Sequence, residues 1–232
     1  MKVSVIIPAA GSGQRFGEEK QFKLLDGRPL LFHTLIPFLR SDSIDEVIVV
    51  VPDVDVQSMH RDLVSISVGK PVKVVAGGKR RQDSVKNGLI ASNPDSQLIC
   101  IHDAARPFVT DSLINKTINA CEKFDGSVVA IPVSDTVKYA ENEVIVKTLD
   151  RENIWLAQTP QTFNKEKLLL ALDNAETNQL TGTDESAIME AMGYNIKLVE
   201  GDSNNFKITK PGDWMRAEAI LHQQAQGNLK ND

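Results

Sequence analysis

Cysteine is scarce. The 232 residues include two, Cys100 and Cys121, with no CxxC spacing. Two thiols do not make a disulfide scaffold, and a reduced, cytoplasmic setting is the simpler expectation. Histidine is nearly as rare. His33, His60, His102 and His222 show no paired ligand spacing, which argues against a zinc site. Long apolar runs are also missing: no stretch approaches the roughly 18 residues that would suggest a membrane span. The amino-terminal MKVSVIIPAAGSG carries one lysine and a short apolar segment ahead of a glycine loop, unlike a signal peptide. Basic charge is not in excess. Lys and Arg total 26 against 31 Asp and Glu, a formal net charge of −5, so no global positive field exists to grip nucleic acid. Any anion site has to be local. Internal repeats, low-complexity tracts and Pro/Ser-rich linkers are absent.

What is present is a globular composition, 41% apolar, long enough for one large domain or two small ones. Val3–Pro8, Glu46–Val51, Pro71–Ala76, Leu98–Ile101 and Ser127–Pro132 are short, apolar, β-branched runs that read as buried strands. Helical spacing follows at Pro29–Arg40, with Pro37 expected to kink or shorten it, and at Asp53–Val64, Gln82–Ala91 and Asp111–Phe124. Strands of this kind alternating with helices predict a mainly parallel sheet covered on both faces, a three-layer α/β/α architecture. Asp135–Gln158 breaks the rhythm. Thr136-Val-Lys-Tyr139 and Val144-Ile-Val-Lys147, with Lys and Glu interspersed, read as an exposed hairpin. Helices return at Lys165–Ala175, Asp184–Met192 and Pro211–Ala225, with a strand at Tyr194–Val199. One domain over residues 1–232 with an inserted arm is therefore expected. Trp155 and Trp214 are read as packing residues, one anchoring the arm and the other seating the last helix.

The richest chemistry follows the first strand: Pro8-Ala-Ala-Gly11-Ser-Gly13-Gln-Arg15-Phe-Gly17. A glycine loop after a parallel strand leaves backbone N–H groups to hold phosphate. A dinucleotide fingerprint would need glycine where Phe16 stands. A Walker loop would need Gly-Lys-Ser/Thr, but Gly17 precedes Glu18. What remains is Gly-x-Gly-x-Arg with Lys20-Gln21 behind it, two cations beside backbone donors, a combination suited to a triphosphate.

That segment resembles the sugar nucleotidyltransferase signature. Gly77-Gly78-x-x-Arg81-Gln82-x-Ser84-Val85, His102-Asp103-Ala104-Ala105-Arg106-Pro107 and Asp135-Thr136-x-Lys138 narrow the resemblance, as do Gln158-Thr159-Pro160-Gln161, Thr183-Asp184-Glu185 and Asn205-x-Lys207-x-Thr209. In this order they resemble the 2-C-methyl-D-erythritol 4-phosphate cytidylyltransferase family from about Val3 to Asp213. The ribitol-5-phosphate cytidylyltransferase branch, which tends to carry Ala-Gly-Gly and Asp-Ser-Val-Arg-Pro at two of these places, is the alternative.

The resemblance implies a Rossmann-like fold and transfer of CMP from CTP to a polyol phosphate, with Mg²⁺ bridging the phosphates. It implies a homodimer that exchanges its hairpin arms, no membrane and no nucleic acid. Arg15 and Lys20 match transition-state cations, and Arg151 and Lys207 match residues that position the sugar phosphate. Pro8, Ala9, Ala10, Gly11, Gly13, Gly78, Ser84 and Ala104 fall where CTP is bound. Ser84 alternatively reads as a helix N-cap, and Arg80 and Arg81 as partly solvated. Asp103, Arg106, Thr136, Thr159 and Thr183 fall around the second substrate, with Asp103 also close to the metal. Lys207 reads as lying on a strand end.

Overall fold

The computed structural model describes residues 1–11, 20–64 and 69–228. In chain order the elements are β1 (Val3–Pro8), β2 (Leu24–Leu25), β3 (Arg28–Pro29), α1 (Leu30–Arg40), β4 (Glu46–Val51), α2 (Val56–Val64), β5 (Val72–Ala76), α3 (Arg81–Ala91) and β6 (Leu98–Ile101). Then come α4 (Asp111–Ala120), β7 (Gly126–Pro132), β8 (Val137–Glu141), β9 (Val144–Leu149), β10 (Trp155–Asn164), α5 (Lys165–Thr177), α6 (Glu185–Ala191), β11 (Ile196–Glu200) and α7 (Pro211–Asn228).

Seven strands form one sheet in the order β11-β7-β10-β6-β1-β4-β5. All neighbours are parallel except at β10, which runs antiparallel to both β6 and β7. Alternation along the strands builds the three layers. Val5 and Ile7 of β1 and Val47, Val49 and Val51 of β4 face a core with α1, α2 and α4. Ile6, Ile48 and Val50 face the opposite core with α3, α5 and α6. A third cluster of Leu25, Leu30, Ala105, Ile208, Trp214 and Ala217 seats α7, so Trp214 packs as expected.

Four expectations about elements need correction. α1 runs through Pro37 to Arg40, the end its spacing predicts, so the proline does not shorten it. The buried stripe Leu31, Leu35, Phe38 and Leu39 anchors the helix on both sides of the proline, and that packing outweighs the one lost backbone bond. α4 ends at Ala120, not Phe124, because the chain tightens into successive turns before entering β7. The arm does not extend to Gln158. Its hairpin is β8–β9, and Trp155, Leu156 and Ala157 already pair with Pro132, Ile131 and Ala130 of the main sheet. β10 is hidden in the sequence because Pro160 stands inside it, which argues against a central strand. The chain accommodates Pro160 at an irregularity between Ala157 and Gln161, where no ladder bond is required of it. Finally, the segment carrying Lys207 is a loop and not a strand end.

Candidate active site

Parallel strands end together, and their carboxyl ends form one rim of the sheet. Ala9 N–H continues the ladder to the Val50 carbonyl at 2.7 Å, Gly77 N–H to Val51 at 2.8 Å and His102 N–H to Ile6 at 3.0 Å. Beyond these bonds the chain leaves the sheet three times, at Ala9–Gly11, Gly77–Gly78 and His102–Arg106. The three departures enclose a cavity of about 470 Å³.

One wall is the glycine loop, with Pro8, Ala9, Ala10 and Gly11 followed by Lys20. Gln21 ties this wall together. Its Nε2 donates to the carbonyls of Ala9 at 3.2 Å and Gly11 at 3.1 Å, one amide bridging both ends of the turn. The sequence marks Gln21 only as a motif residue without a role; its pairing with Lys20 is the signal. Gly13 and Arg15 lie outside the described residues.

The opposite wall is Gly78, Arg80, Arg81 and Ser84. Here glycine is a matter of space. A Cβ on Gly77 would collide with the Ala10 Cβ, and one on Gly78 with the Asp83 Cβ. Ser84 is not an N-cap but lies within α3. The Asp83 carboxylate turns back to accept from Arg80 N–H at 3.0 Å, which leaves the Ser84 hydroxyl to accept from Gly78 N–H at 3.1 Å and donate to the Arg80 carbonyl at 3.2 Å.

The floor is Asp103 and Ala104, with Ala105 and Lys207 beside them. Asp103 is buried and faces three cations: Lys207 Nζ at 3.1 Å, Arg106 Nε at 3.3 Å and Arg81 Nη2 at 3.5 Å. Burial alone would raise its carboxyl, but Lys207, then Arg81 and Arg106, outweigh that and hold it below the usual carboxylate range. Arg81 is thus partly solvated, as expected, but it opens α3 and is held by ion pairs that the sequence does not reveal. Its Nη1 also meets both carboxylate oxygens of the buried Glu185 at 2.7 and 2.6 Å.

Two residues expected around the second substrate face inward instead. Arg106 is 8% exposed and does not line the cavity. Its guanidinium is occupied by Asp103 and by the Asn205 carbonyl at 2.8 Å. Thr159, 4% exposed, accepts from the Asp103 N–H at 3.0 Å and lies 3.0 Å from His102 Nδ1. Both are struts, because a buried polar group must find partners within the fold. The same network explains where Lys207 stands. Asn205 donates to Gln158 Oε1 and to the Thr159 carbonyl, and Ile208 N–H donates to Ala105, so the loop is pinned on either side of the lysine. Thr136, Arg151 and Thr183 are exposed and lie off the cavity wall, with Arg151 bonded to the Ser134 carbonyl at the hairpin base.

His102 is fully buried, and its bonds fix its state. Nε2 faces the Arg106 carbonyl at 3.0 Å, and a carbonyl only accepts, so Nε2 carries the proton and Nδ1 accepts from Thr159. Burial pushes the imidazole down to about 4 from 6.5. The unfolded chain therefore takes up a proton near pH 6.5 that the fold refuses. Stability is full above that pH and declines as pH falls toward 4, by roughly 3 kcal/mol in all. Thermal unfolding followed from pH 7 to 4.5 should show this loss in the wild type and a shallower one in His102→Gln; equal slopes would remove His102 as the cause.

The sheet rim, the small residues Ala9–Gly11 and the cations that meet on one cavity make the setting of a nucleotidyltransferase. A family model, IspD, described as 2-C-methyl-D-erythritol 4-phosphate cytidylyltransferase, matches residues 3–223, and the chain belongs to that family. A relative of this name from Halalkalibacterium halodurans is 42% identical over 226 residues, covering 97% of this chain and 99% of its own. One from Geotalea uraniireducens is 39% identical over 226 residues, covering 95% and 97%. Among solved structures, the 4-diphosphocytidyl-2C-methyl-D-erythritol synthase of Anaerococcus prevotii superposes with a TM-score of 0.85 at 32% identity, covering 95% of this chain and 98% of that one. The cytidylyltransferase of Thermus thermophilus gives 0.78 at 35% identity, covering 96% and 100%. Among the described residues no helix is long and apolar enough to cross a membrane.

Proposed function

We propose that this chain transfers CMP from CTP to 2-C-methyl-D-erythritol 4-phosphate, releasing pyrophosphate, in isoprenoid biosynthesis. The observation that carries the reading is the cavity in which the glycine-loop backbone, Lys20, Arg81, Asp103 and Lys207 meet. An oxygen of the substrate phosphate attacks the α-phosphorus of CTP. A new P–O bond forms, the bond to the bridging oxygen of the β-phosphate breaks, and the electron pair leaves with pyrophosphate. A phosphate monoester is already a competent nucleophile, so the protein's task is to hold two polyanions in line and offset the charge growing at the α-phosphoryl group. In this reading Lys20, Arg15 and Lys207 supply that charge. Pro8, Ala9, Ala10, Gly11, Gly13 and Ala104 approach the nucleotide, and Gly78 and Ser84 its base.

The fit of Mg²⁺ rests on Asp103. Among the described residues no three His, Cys, Asp or Glu side chains converge, and Asp103 is already held by three cations. These residues do not make a metal cage of their own. They fit an ion that arrives on the triphosphate and takes Asp103 as one oxygen ligand, as Mg²⁺ does when most of its shell is phosphate and water. Bound so, it would offset phosphate charge.

The hairpin supports a homodimer whose arms reach the neighbouring site. Val144, Ile145 and Val146 are 55–67% exposed on β9, more apolar surface than a solvated hairpin needs. Arg151 and Thr136 at its base would then act on the partner's sugar phosphate, with Thr183 from the home subunit. Arg151→Ala and Lys20→Ala, each inactive alone, should regain activity when mixed and allowed to exchange subunits; no regain means each site is complete within one chain. The activity itself is tested by pyrophosphate release from CTP, UTP and ATP with methylerythritol 4-phosphate and ribitol 5-phosphate. Release confined to CTP with the first is expected, and release with ribitol 5-phosphate alone would overturn the reading.

A further inference from the structure

The mechanism leaves a buried acid beside the cavity wall unused. Glu185 is the first residue of α6, 1% exposed, and both its oxygens take Arg81 Nη1 at 2.6–2.7 Å. A carboxylate is costly to bury and survives only with a close partner. The same guanidinium reaches Asp103 through Nη2, but only at 3.5 Å. Two acids therefore compete for one cation, and Glu185 holds it more closely. Its own position is firm. Asp184, just before it, accepts from Ala187 N–H and the Ser186 hydroxyl at 3.0 Å and from Gln161 Nε2 of β10 at 2.8 Å, which fixes the start of α6 to the sheet.

We infer that Glu185 is a positioning residue for the nucleotide step, acting through Arg81: it keeps the guanidinium spread along the cavity wall and holds it back from Asp103. The inference rests on the functional reading above. A guanidinium has five N–H donors, more than these two carboxylates take up, so an arginine tethered in this way faces the incoming triphosphate without first being freed. It also leaves Asp103 Oδ1 only weakly engaged. Without the Glu185 charge, Arg81 closes onto Asp103 in a tighter pair. One cation is then withdrawn from the wall and the Asp103 oxygen is masked together with it.

The test is steady-state kinetics on Glu185→Gln, well below its Tm. Glutamine keeps the shape and one acceptor but not the charge. kcat/KM for CTP should fall by up to about 100-fold, the scale at which a misplaced group costs rate, with KM for CTP rising more than KM for the polyol phosphate. Glu185→Asp, which restores the charge on a shorter stem, should recover part of the loss. Arg81→Met/Glu185→Leu removes both charges and refills the space with apolar atoms, so it should fold while keeping the CTP defect. Wild-type kcat/KM for CTP in Glu185→Gln, or in the apolar double variant, would overturn the inference and leave the pair a packing feature. A wild-type enzyme that transferred no CMP would count against the function itself; an active wild type with an unaffected Glu185→Gln counts against this pair alone.

Discussion

Lys207→Ala should lower kcat by about 100- to 1,000-fold, the usual cost of removing one preorganised charge from a phosphoryl-transfer site, while Tm moves by only a few degrees. The reason is local. The Lys207 side chain is 35% exposed, lines the cavity and stands 3.1 Å from Asp103. Its loop is pinned at Asn205 and at Ile208, so truncating the side chain removes the charge and leaves the backbone in place. Asp103 stays paired with Arg81 and Arg106, and the lysine end of the lost pair is the one open to water, so no backbone group is left without a partner. Lys207→Arg restores the charge with a bulkier, planar head and should recover only part of the rate. Stopped-flow or steady-state pyrophosphate release checks this. A rise in KM at unchanged kcat would show that Lys207 serves binding alone.

Arg106→Ala should fail in the opposite way. It removes the middle of a buried network and leaves both Asp103 and the Asn205 carbonyl short of a partner. Breaking a buried pair on one side costs about 3–5 kcal/mol. At roughly 2–4 °C per kcal/mol for a chain of this size, Tm should fall by about 6–20 °C. Activity lost at assay temperature should return in large part on cooling. Calorimetry showing an unchanged Tm with kcat abolished would instead return Arg106 to the role its motif suggests, a direct contact to substrate.

That contrast marks how far the sequence can be read. Pro8–Gly11, Lys20, Gly78, Ser84, Asp103, Ala104 and Lys207 stand out by residue type and spacing, and all line one cavity. Strand ends and glycine loops are local features, so the order of motifs along the chain identifies them. Which side of the backbone a polar group serves is not local. Arg106 and Thr159 sit in motifs as legible as the others, yet their donors and acceptors are consumed by Asn205 and His102, 99 and 57 residues away. The ion pair of Arg81 is invisible for the same reason: its partner Glu185 lies 104 positions on. The strand β10 escapes a rule that is usually sound, since Pro160 interrupts it.

The hairpin leaves the sheet at Pro132 and comes back at Trp155, and those two residues are ladder partners. Val133 N–H also bonds the Ile154 carbonyl at 3.1 Å, closing the stem. β8 and β9 thus form a parenthesis in the chain, opened and shut at one point. Its length and sequence can drift without disturbing the strand order. The return limb, however, is the rod that carries Thr159, on whose hydroxyl the Asp103 amide rests. The hairpin is therefore tethered, across the irregularity at Ala157–Gln161, within a few residues of a strut of the cavity floor.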